Sequence, residues 1–392
     1  MDEPREGQEP QVPLGDVLAD IPLFREIQRV LLSGAGPVNW ELARQVGIAV
    51  ASWGKEDPLP SEEDRRAFED MARAAELAVA EFTGLDAPAQ VAAVTVHRRA
   101  SWVEANVSSL RPLVDPVASK LARLLSDVRG EGPPEAIGLG ALVDRMAPLL
   151  LGAQVGTVLG YLGQRVLGQY DVAVPTDAGT IAFVVPNIAE FEREWSLPPA
   201  ELKEFVALHE VTHRFEFSRP WVREHFQGMI RDFTERTEFD LAALEERLAG
   251  LDLSDPERLQ EAFGNPSDLV DRVLDDEGRL LLGRLQAFMS AAEGYGDHVM
   301  HAIGERMLPS HGQIDEALRR RREGASGETR LLERLLGIEM KLDQYRLGRT
   351  FCDAVAERAG EEILARMWSD PEAMPSLPEL EEPTLWLART AA

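Results

Sequence analysis

Residues 209–213 read His-Glu-Val-Thr-His, with two histidines four positions apart and an acid directly after the first. On an α-helix, residues four apart differ by about 40° of rotation, so both imidazoles leave one face and can share a cation. A catalytic zinc site takes three protein ligands and one water. Glu210 leaves the helix about 100° round from His209, within reach of that water. The motif predicts zinc on His209 and His213, with Glu210 activating zinc-bound water as general base.

The third metal ligand must come from another part of the chain, and the strongest candidate is Glu293. It follows an apolar helical stretch, so its carboxylate would be carried inward, where a buried acid demands a partner such as a metal. Asp297, one turn further on, is predicted to hold a ligating histidine by its second ring nitrogen. His298 and His301 stay open as alternative third ligands.

A hydrolase also needs a group that stabilises the oxyanion. The candidates are polar side chains near the motif or in the later helical segments, namely Tyr295, His298, His301, Tyr345 and Arg346. Tyr345 and His298 are the predicted catalytic partners of Glu210. The competing interpretation of a tyrosine on an amphipathic helix is a half-buried packing residue.

The motif requires a helix, and its flanks predict one over residues 198–217. Pro198 and Pro199 fall in the first turn, where proline is tolerated, and the following residues have a 3.6-residue apolar period. Strand signals are few. DVAVP (171–175) and TIAFVV (180–185), separated by TDAG, predict one β-hairpin. Further helices are predicted at 219–236, 239–250, 255–264, 267–304, 313–323, 329–346 and 350–368.

Composition excludes several classes of protein. The chain has 392 residues and a formal net charge of −27, which argues against a nucleic-acid partner because such binding depends on cations that neutralise phosphates. The single cysteine, Cys352, excludes a disulfide scaffold and a Cys-rich metal site. The N-terminus begins MDEPREGQEP, without the cationic start and apolar run of a signal peptide, so we expect a cytoplasmic protein.

One stretch challenges the soluble interpretation, because residues 146–163 are uncharged over a length near the minimum for a membrane span. Gly152, Gly156 and Gly160 recur every fourth residue there, which leaves one side of a helix open to close approach by another helix. We expect a buried central helix and no membrane span.

The segments HEVTHRFEF, EGYGDHVM and KLDQYRLGRTF together resemble a bacterial family of zincin-like metallohydrolases of unknown function. The resemblance runs from about residue 20 to the C-terminus and includes Gly168-Gln169-Tyr170-Asp171. It implies zinc on His209, His213 and Glu293, with Glu210 as general base. Some family members are associated with the biosynthesis of a deazaflavin coenzyme. The interval of 80 residues from His213 to Glu293 is longer than in compact glutamate-type zinc peptidases and leaves the third ligand open.

These observations predict a mainly α-helical fold: a flexible tail (1–20), a helical N-terminal part (21–130) and a zincin-like metal-binding body with a small β-hairpin (131–392). The expected function is zinc-dependent hydrolysis of a peptide or other amide bond. Two alternatives remain: a non-catalytic metal-braced scaffold, and an accessory protein of deazaflavin coenzyme metabolism. The sequence gives neither the substrate nor the oligomeric state.

Overall fold

The computed structural model describes residues 36–129, 136–170, 179–238, 274–323 and 342–390. Within these ranges the chain forms thirteen α-helices, two 3-10 helices and two strands, so the predicted mainly helical class is confirmed. The α-helices are α1 (Trp40–Ala51), α2 (Glu62–Thr83), α3 (Arg99–Arg129), α4 (Ala136–Gly163), α5 (Val185–Trp195), α6 (Pro199–Phe217), α7 (Pro220–Arg236), α8 (Asp276–Met307), α9 (His311–Glu323), α10 (Leu342–Ala359), α11 (Glu361–Leu364), α12 (Leu377–Glu381) and α13 (Pro383–Thr390).

The two strands form a parallel pair and not the predicted hairpin. Strand β1 (Ala93–His97) lies beside β2 (Thr180–Val184), with Val94 opposite Ile181. The position of the second strand was predicted correctly, and its partner among the described residues is β1, which the sequence did not indicate; residues 171–175, the predicted partner, lie outside the described part of the chain. Parallel strands require a long crossover, and here the chain between them includes α3 and α4. A local turn signal such as TDAG cannot reveal a partner so distant in sequence.

Helix α4 packs on α1 through its glycines. A β-carbon at Gly152 would lie 2.4 Å from the Asn39 carbonyl oxygen, and one at Gly156 would lie 2.5 Å from that of Ala43. The predicted close helix approach is therefore present. The segment Met146–Gly163 of α4 is long and apolar enough to cross a membrane by length and composition, and 33% of it is buried within the protein.

The hydrophobic residues form two clusters. The smaller one joins α1 and α3 to α4, and includes Val103 of α3 and Leu159 of α4. The larger one surrounds α6 and extends from Phe68 on α2 to Trp386 on α13. Each cluster combines residues from before and after the predicted boundary near residue 130. Residues 130–135, the proposed linker, lie outside the described ranges.

Helix α10 differs from the predicted helix boundaries. The sequence suggested separate helices over 329–346 and 350–368, whereas the structure has one helix from Leu342 to Ala359, followed by the short α11. The helix continues through Gly348 because the absence of a side chain there allows close packing against α8, as described below. The predicted helices at 239–250 and 255–264 fall outside the described residues.

Candidate active site

Helix α6 crosses the centre of the larger core. It begins at Pro199, one residue after the predicted start, and thirteen of its nineteen residues are buried. A helix that is surrounded on all sides by the core places even its polar side chains inside the protein. The inward polar residues include Glu210, His213 and Glu216, each with no exposed surface. Such groups require specific partners, because an unpaired buried polar group is costly.

The two histidines of the motif lie together on α6. Their ring centroids are 4.6 Å apart, with the ring planes at 80°. The Nδ1 atom of His209 lies 3.3 Å from Sδ of Met300, and Nδ1 of His213 lies 2.9 Å from Oε2 of Glu216. With Nδ1 occupied in each ring, the Nε2 atoms are the ones available to a metal ion. Both Nε2 atoms are buried.

Glu216 lies beside His213, in the kind of supporting position that we predicted for Asp297. Burial raises the pKa of Glu216 well above its usual range, and the nearby carboxylate of Asp297 raises it further. Asp297 therefore lies close to this pair, but the hydrogen bond of His213 Nδ1 is made with Glu216. The sequence signal was available, because residues three apart on a helix share a face. We had not used it.

The carboxylate of Glu210 is held by backbone donors from a different part of the chain. Its Oε2 accepts hydrogen bonds from the N–H groups of Gln169 (2.7 Å) and Tyr170 (2.8 Å). Its Oε1 lies 3.9 Å from Nε2 of His209. One carboxylate oxygen is therefore fixed by the backbone, while the other lies on the side of the histidine pair.

The segment that holds Glu210 is attached to β2. The N–H of Val184 donates to the Leu167 carbonyl, and Gly168 forms an antiparallel bridge with Phe183. A β-carbon at Gly168 would lie 2.1 Å from Oε1 of Glu210, so only glycine permits this approach. Gly168, Gln169 and Tyr170 belong to the Gly-Gln-Tyr-Asp run that was part of the family resemblance. From the sequence we predicted no role for them in the site.

Helix α8 runs antiparallel to α6 across the site. Met300 contacts His209, and a β-carbon at Gly296, one turn earlier, would lie 2.8 Å from Cε1 of His213. Continuing this register places Glu293, three residues before Gly296, at the level of Glu216. Glu293 is 6% exposed, so the predicted inward position of this acid agrees with its burial.

A complete three-ligand arrangement is a separate question. Among the described residues, no group of three or more His, Cys, Asp or Glu side chains is arranged to hold a metal ion. Glu293 therefore stays a prediction as the third ligand. The two imidazoles fit a metal by the chemistry of their donors, since each has its Nδ1 engaged and its Nε2 buried beside the other ring.

Helix α10 crosses α8 directly beside Glu293. A β-carbon at Gly294 would lie 2.1 Å from the carbonyl carbon of Gly348, and one at Gly348 would lie 1.8 Å from the Ser290 carbonyl oxygen. This contact brings the first turns of α10 to the part of α8 that carries Glu293. Tyr345 lies in the first turn of α10, and its side chain is not among those that the structure describes. Arg346 is exposed.

His298 lies on another face of α8, away from the motif histidines. It leaves the helix about 200° round from Gly296. Its Nδ1 lies 2.6 Å from Oδ1 of Asp353 on α10, and its Nε2 lies 3.1 Å from both carboxylate oxygens of Glu361 on α11. Burial favours the neutral ring, but the hydrogen bonds that the ring donates to the carboxylates of Glu361 and Asp353 outweigh burial and raise the pKa of His298. To take part in the reaction, His298 would have to break its hydrogen bonds with both Asp353 and Glu361.

The remaining candidates have different surroundings. Tyr295 is buried, and this burial, with a contribution from the Glu216 carboxylate, raises the pKa of its hydroxyl well above the usual range. Its ring packs on Trp368 with centroids 5.7 Å apart, which suits a packing residue. His301 lies with Nε2 3.3 Å from Oε1 of Glu305, and its ring is 5.2 Å from that of His311.

A mainly helical protein whose buried helix carries the His-Glu-x-x-His motif, with the acid anchored beside the first histidine, has a zincin-like hydrolase fold. Residues 38–387 match the model of the zincin-like metallopeptidase family, and the chain belongs to this family.

A solved structure supports the same fold. The chain is similar to the crystal structure of a proposed hydrolase with a novel fold from Chloroflexus aurantiacus, with 30% sequence identity and a TM-score of 0.65. The similarity covers 90% of this chain and 99% of that one. A search of curated proteins finds no match.

Proposed function

We propose that this protein is a zinc-dependent hydrolase that cleaves a peptide or other amide bond. His209 and His213 would hold the metal through Nε2, with Glu293 as third ligand and Glu210 as general base. The observation that carries the proposal is the placement of Glu210, whose Oε1 lies 3.9 Å from Nε2 of His209 while its Oε2 is fixed by two backbone N–H groups. Membership of a metallopeptidase family supports a metal and a peptide-like substrate.

When bound, zinc supplies a Lewis acid that polarises the substrate carbonyl and lowers the pKa of water. The chain provides the proton transfers. Glu210 takes a proton from the attacking water at Oε1 and returns it to the nitrogen of the leaving amine. The N–H groups of Gln169 and Tyr170 keep the carboxylate in one orientation throughout, because both donate to Oε2. The fixed position of this carboxylate beside the attacking water would make Glu210 effective.

The test compares wild-type protein with Glu210→Gln, after both have been loaded with zinc, on a library of quenched fluorescent peptides and small amides. The glutamine amide has nearly the shape of the carboxylate, and its oxygen can still accept hydrogen bonds from the N–H groups of Gln169 and Tyr170. Zinc content and folding should therefore be unchanged. Turnover should fall by about 10²–10⁴-fold, the range for loss of general acid–base catalysis. Equal turnover in the two proteins would reject Glu210 as the base.

A metal-braced scaffold without catalytic activity is the second candidate, and one observation favours it. Glu210 and His213 have no exposed surface, and the His209 side chain is only 12% exposed, so access to the reacting groups is narrow. Stoichiometric zinc that stabilises the fold, with no cleavage of any peptide or amide in the library, would favour this role. Specific binding of a deazaflavin coenzyme would point instead to an accessory function in its metabolism.

A further inference from the structure

The two histidines of the motif are supported by chemically different partners. His209 contacts the thioether of Met300 at 3.3 Å, whereas His213 is hydrogen-bonded to the carboxyl group of Glu216 at 2.9 Å. A thioether sulfur is a weak acceptor, and a carboxylate is a strong one. The His213 ring is therefore held by a stronger and more directional contact than the His209 ring.

Burying the Glu216 carboxyl group costs free energy, which indicates that its contact with His213 has a function. Its side chain has no exposed surface, and its Oε1 is buried without a hydrogen bond. Within the described ranges, His213 is its ion-pair partner and no Lys or Arg pairs with it. A buried carboxyl group with one partner costs free energy that an apolar residue on this helix would not. Packing alone does not explain an acid at residue 216.

We propose that Glu216 is a positioning residue for the metal centre, acting through His213. It accepts the Nδ1–H of the imidazole, which fixes the ring orientation and leaves the Nε2 lone pair for the metal. A bound metal cation would favour the ionised carboxylate over the neutral form that burial favours, and its negative charge would then make that nitrogen a stronger electron donor, as carboxylates behind metal-bound histidines do. The inference rests on the proposed metal site but extends it to a residue outside the His-Glu-x-x-His motif.

The contrast with Met300 supplies a matched control on the facing helix. Glu216→Gln keeps the side-chain volume and an acceptor oxygen but removes the charge, so we expect zinc affinity to fall by about 10- to 100-fold. Met300→Leu keeps a similar apolar volume and removes only the weak sulfur acceptor, so the loss should be less than about threefold. Affinity is measured by competition with a chromophoric chelator, with zinc itself as the probe.

A second measurement separates positioning from a structural role. If Glu216 only stabilised the fold, its replacement would lower the thermal stability of the zinc-free protein. If it positions His213, zinc-free Glu216→Gln should be as stable as wild type or more stable, because a buried acid has been removed. The visible absorption spectrum of the cobalt-substituted variant should also change, since the His213 donor is altered. Glu216→Asp, one methylene shorter, is a second variant that should also lose zinc affinity.

Zinc affinity and zinc-free stability together decide whether Glu216 positions His213. A selective loss of zinc affinity in Glu216→Gln, with unchanged zinc-free stability, supports the inference. Wild-type zinc affinity in Glu216→Gln or Glu216→Asp overturns it, as does an equal loss in Met300→Leu. Failure of the wild-type protein itself to bind zinc would reject the proposed function and is therefore distinguishable from failure of this inference.

Discussion

The backbone at Gly168 lies directly against the carboxylate of Glu210. A β-carbon at residue 168 would come within 2.1 Å of Oε1, and the carboxylate cannot move away without losing its hydrogen bonds to Gln169 and Tyr170. The absence of a side chain at one residue therefore allows the proposed base to be held in place.

Gly168→Ala should displace the Glu210 carboxylate, although the substitution adds only one methyl group. We expect a loss of about 1–3 kcal/mol in the free energy of unfolding from overpacking, and a loss of turnover because Glu210 is displaced. Gly228→Ala on α7 is the control, because the nearest atom to its β-carbon would be 3.8 Å away. Urea unfolding of both variants measures the difference. Equal stability of the two would show that residue 168 does not constrain Glu210.

Zinc should stabilise the protein through the two motif histidines. A ligand at a free concentration of 100 times its dissociation constant adds about 2.7 kcal/mol to the free energy of unfolding. Chelator-treated wild-type protein should therefore gain thermal stability when zinc is returned, and His209→Ala and His213→Ala should not. His225→Ala, a histidine on α7 that packs on Trp221, should respond like wild type. A zinc response in His213→Ala would remove that residue from the ligand set.

The crossing of α8 and α10 should be sensitive to a single methyl group. Gly348→Ala would place a β-carbon 1.8 Å from the Ser290 carbonyl oxygen, whereas Gly283→Ala on α8 would meet only a Leu377 methyl at 3.5 Å. We expect the first to cost at least about 1–3 kcal/mol and to weaken zinc binding, since Glu293 lies beside the crossing. The second should be neutral or slightly stabilising. Zinc affinity and Tm are the measurements.

His298 should make stability depend on pH. Its pKa is raised in the folded protein by Asp353 and Glu361 against the opposing effect of burial. A raised histidine pKa stabilises the fold fully below the unfolded value of about 6.5, and this contribution is lost as pH rises through the folded pKa. The free energy of unfolding of wild type minus that of His298→Gln should therefore decrease from pH 6 toward pH 8.5.

The comparison with His298→Gln is needed because other histidines act in the opposite direction. Burial lowers the pKa values of His97 and His225, and burial together with His301 lowers that of His311. These groups make the fold more stable as pH rises, so wild-type data alone would mix the two effects. A difference that stays constant with pH would contradict the role of the two carboxylates.

The sequence predicted the central helix well because the signals for α6 are local. Proline in the first turn, the apolar period and the histidine spacing all lie within residues 198–217, and the helix runs from Pro199 to Phe217. The partner of β2 was missed because β1 lies far away in the chain, and strand propensity does not specify which strands pair. The backbone donors to Glu210 were missed for the same reason, since Gln169 and Tyr170 reach it only in the folded chain.

Glu216 is a different case, because its position three residues after His213 could have been used. Asp297 was the predicted supporting acid because it lies near the predicted third ligand, whereas Glu216 lies on the motif helix itself. Burial decides between such acids, and burial depends on how α8 packs on α6. In so acidic a chain, spacing alone does not identify the acid that enters the core.

The enclosure of α6 limits which molecules can react with it. Of the three side chains in the motif that would meet a reactant, only His209 contacts solvent, through 12% of its side chain. A folded protein cannot bring a backbone segment to side chains that are so enclosed unless that segment first unfolds. If the protein is the hydrolase proposed above, we therefore expect it to cleave flexible chain ends and small amides and to leave folded proteins uncut.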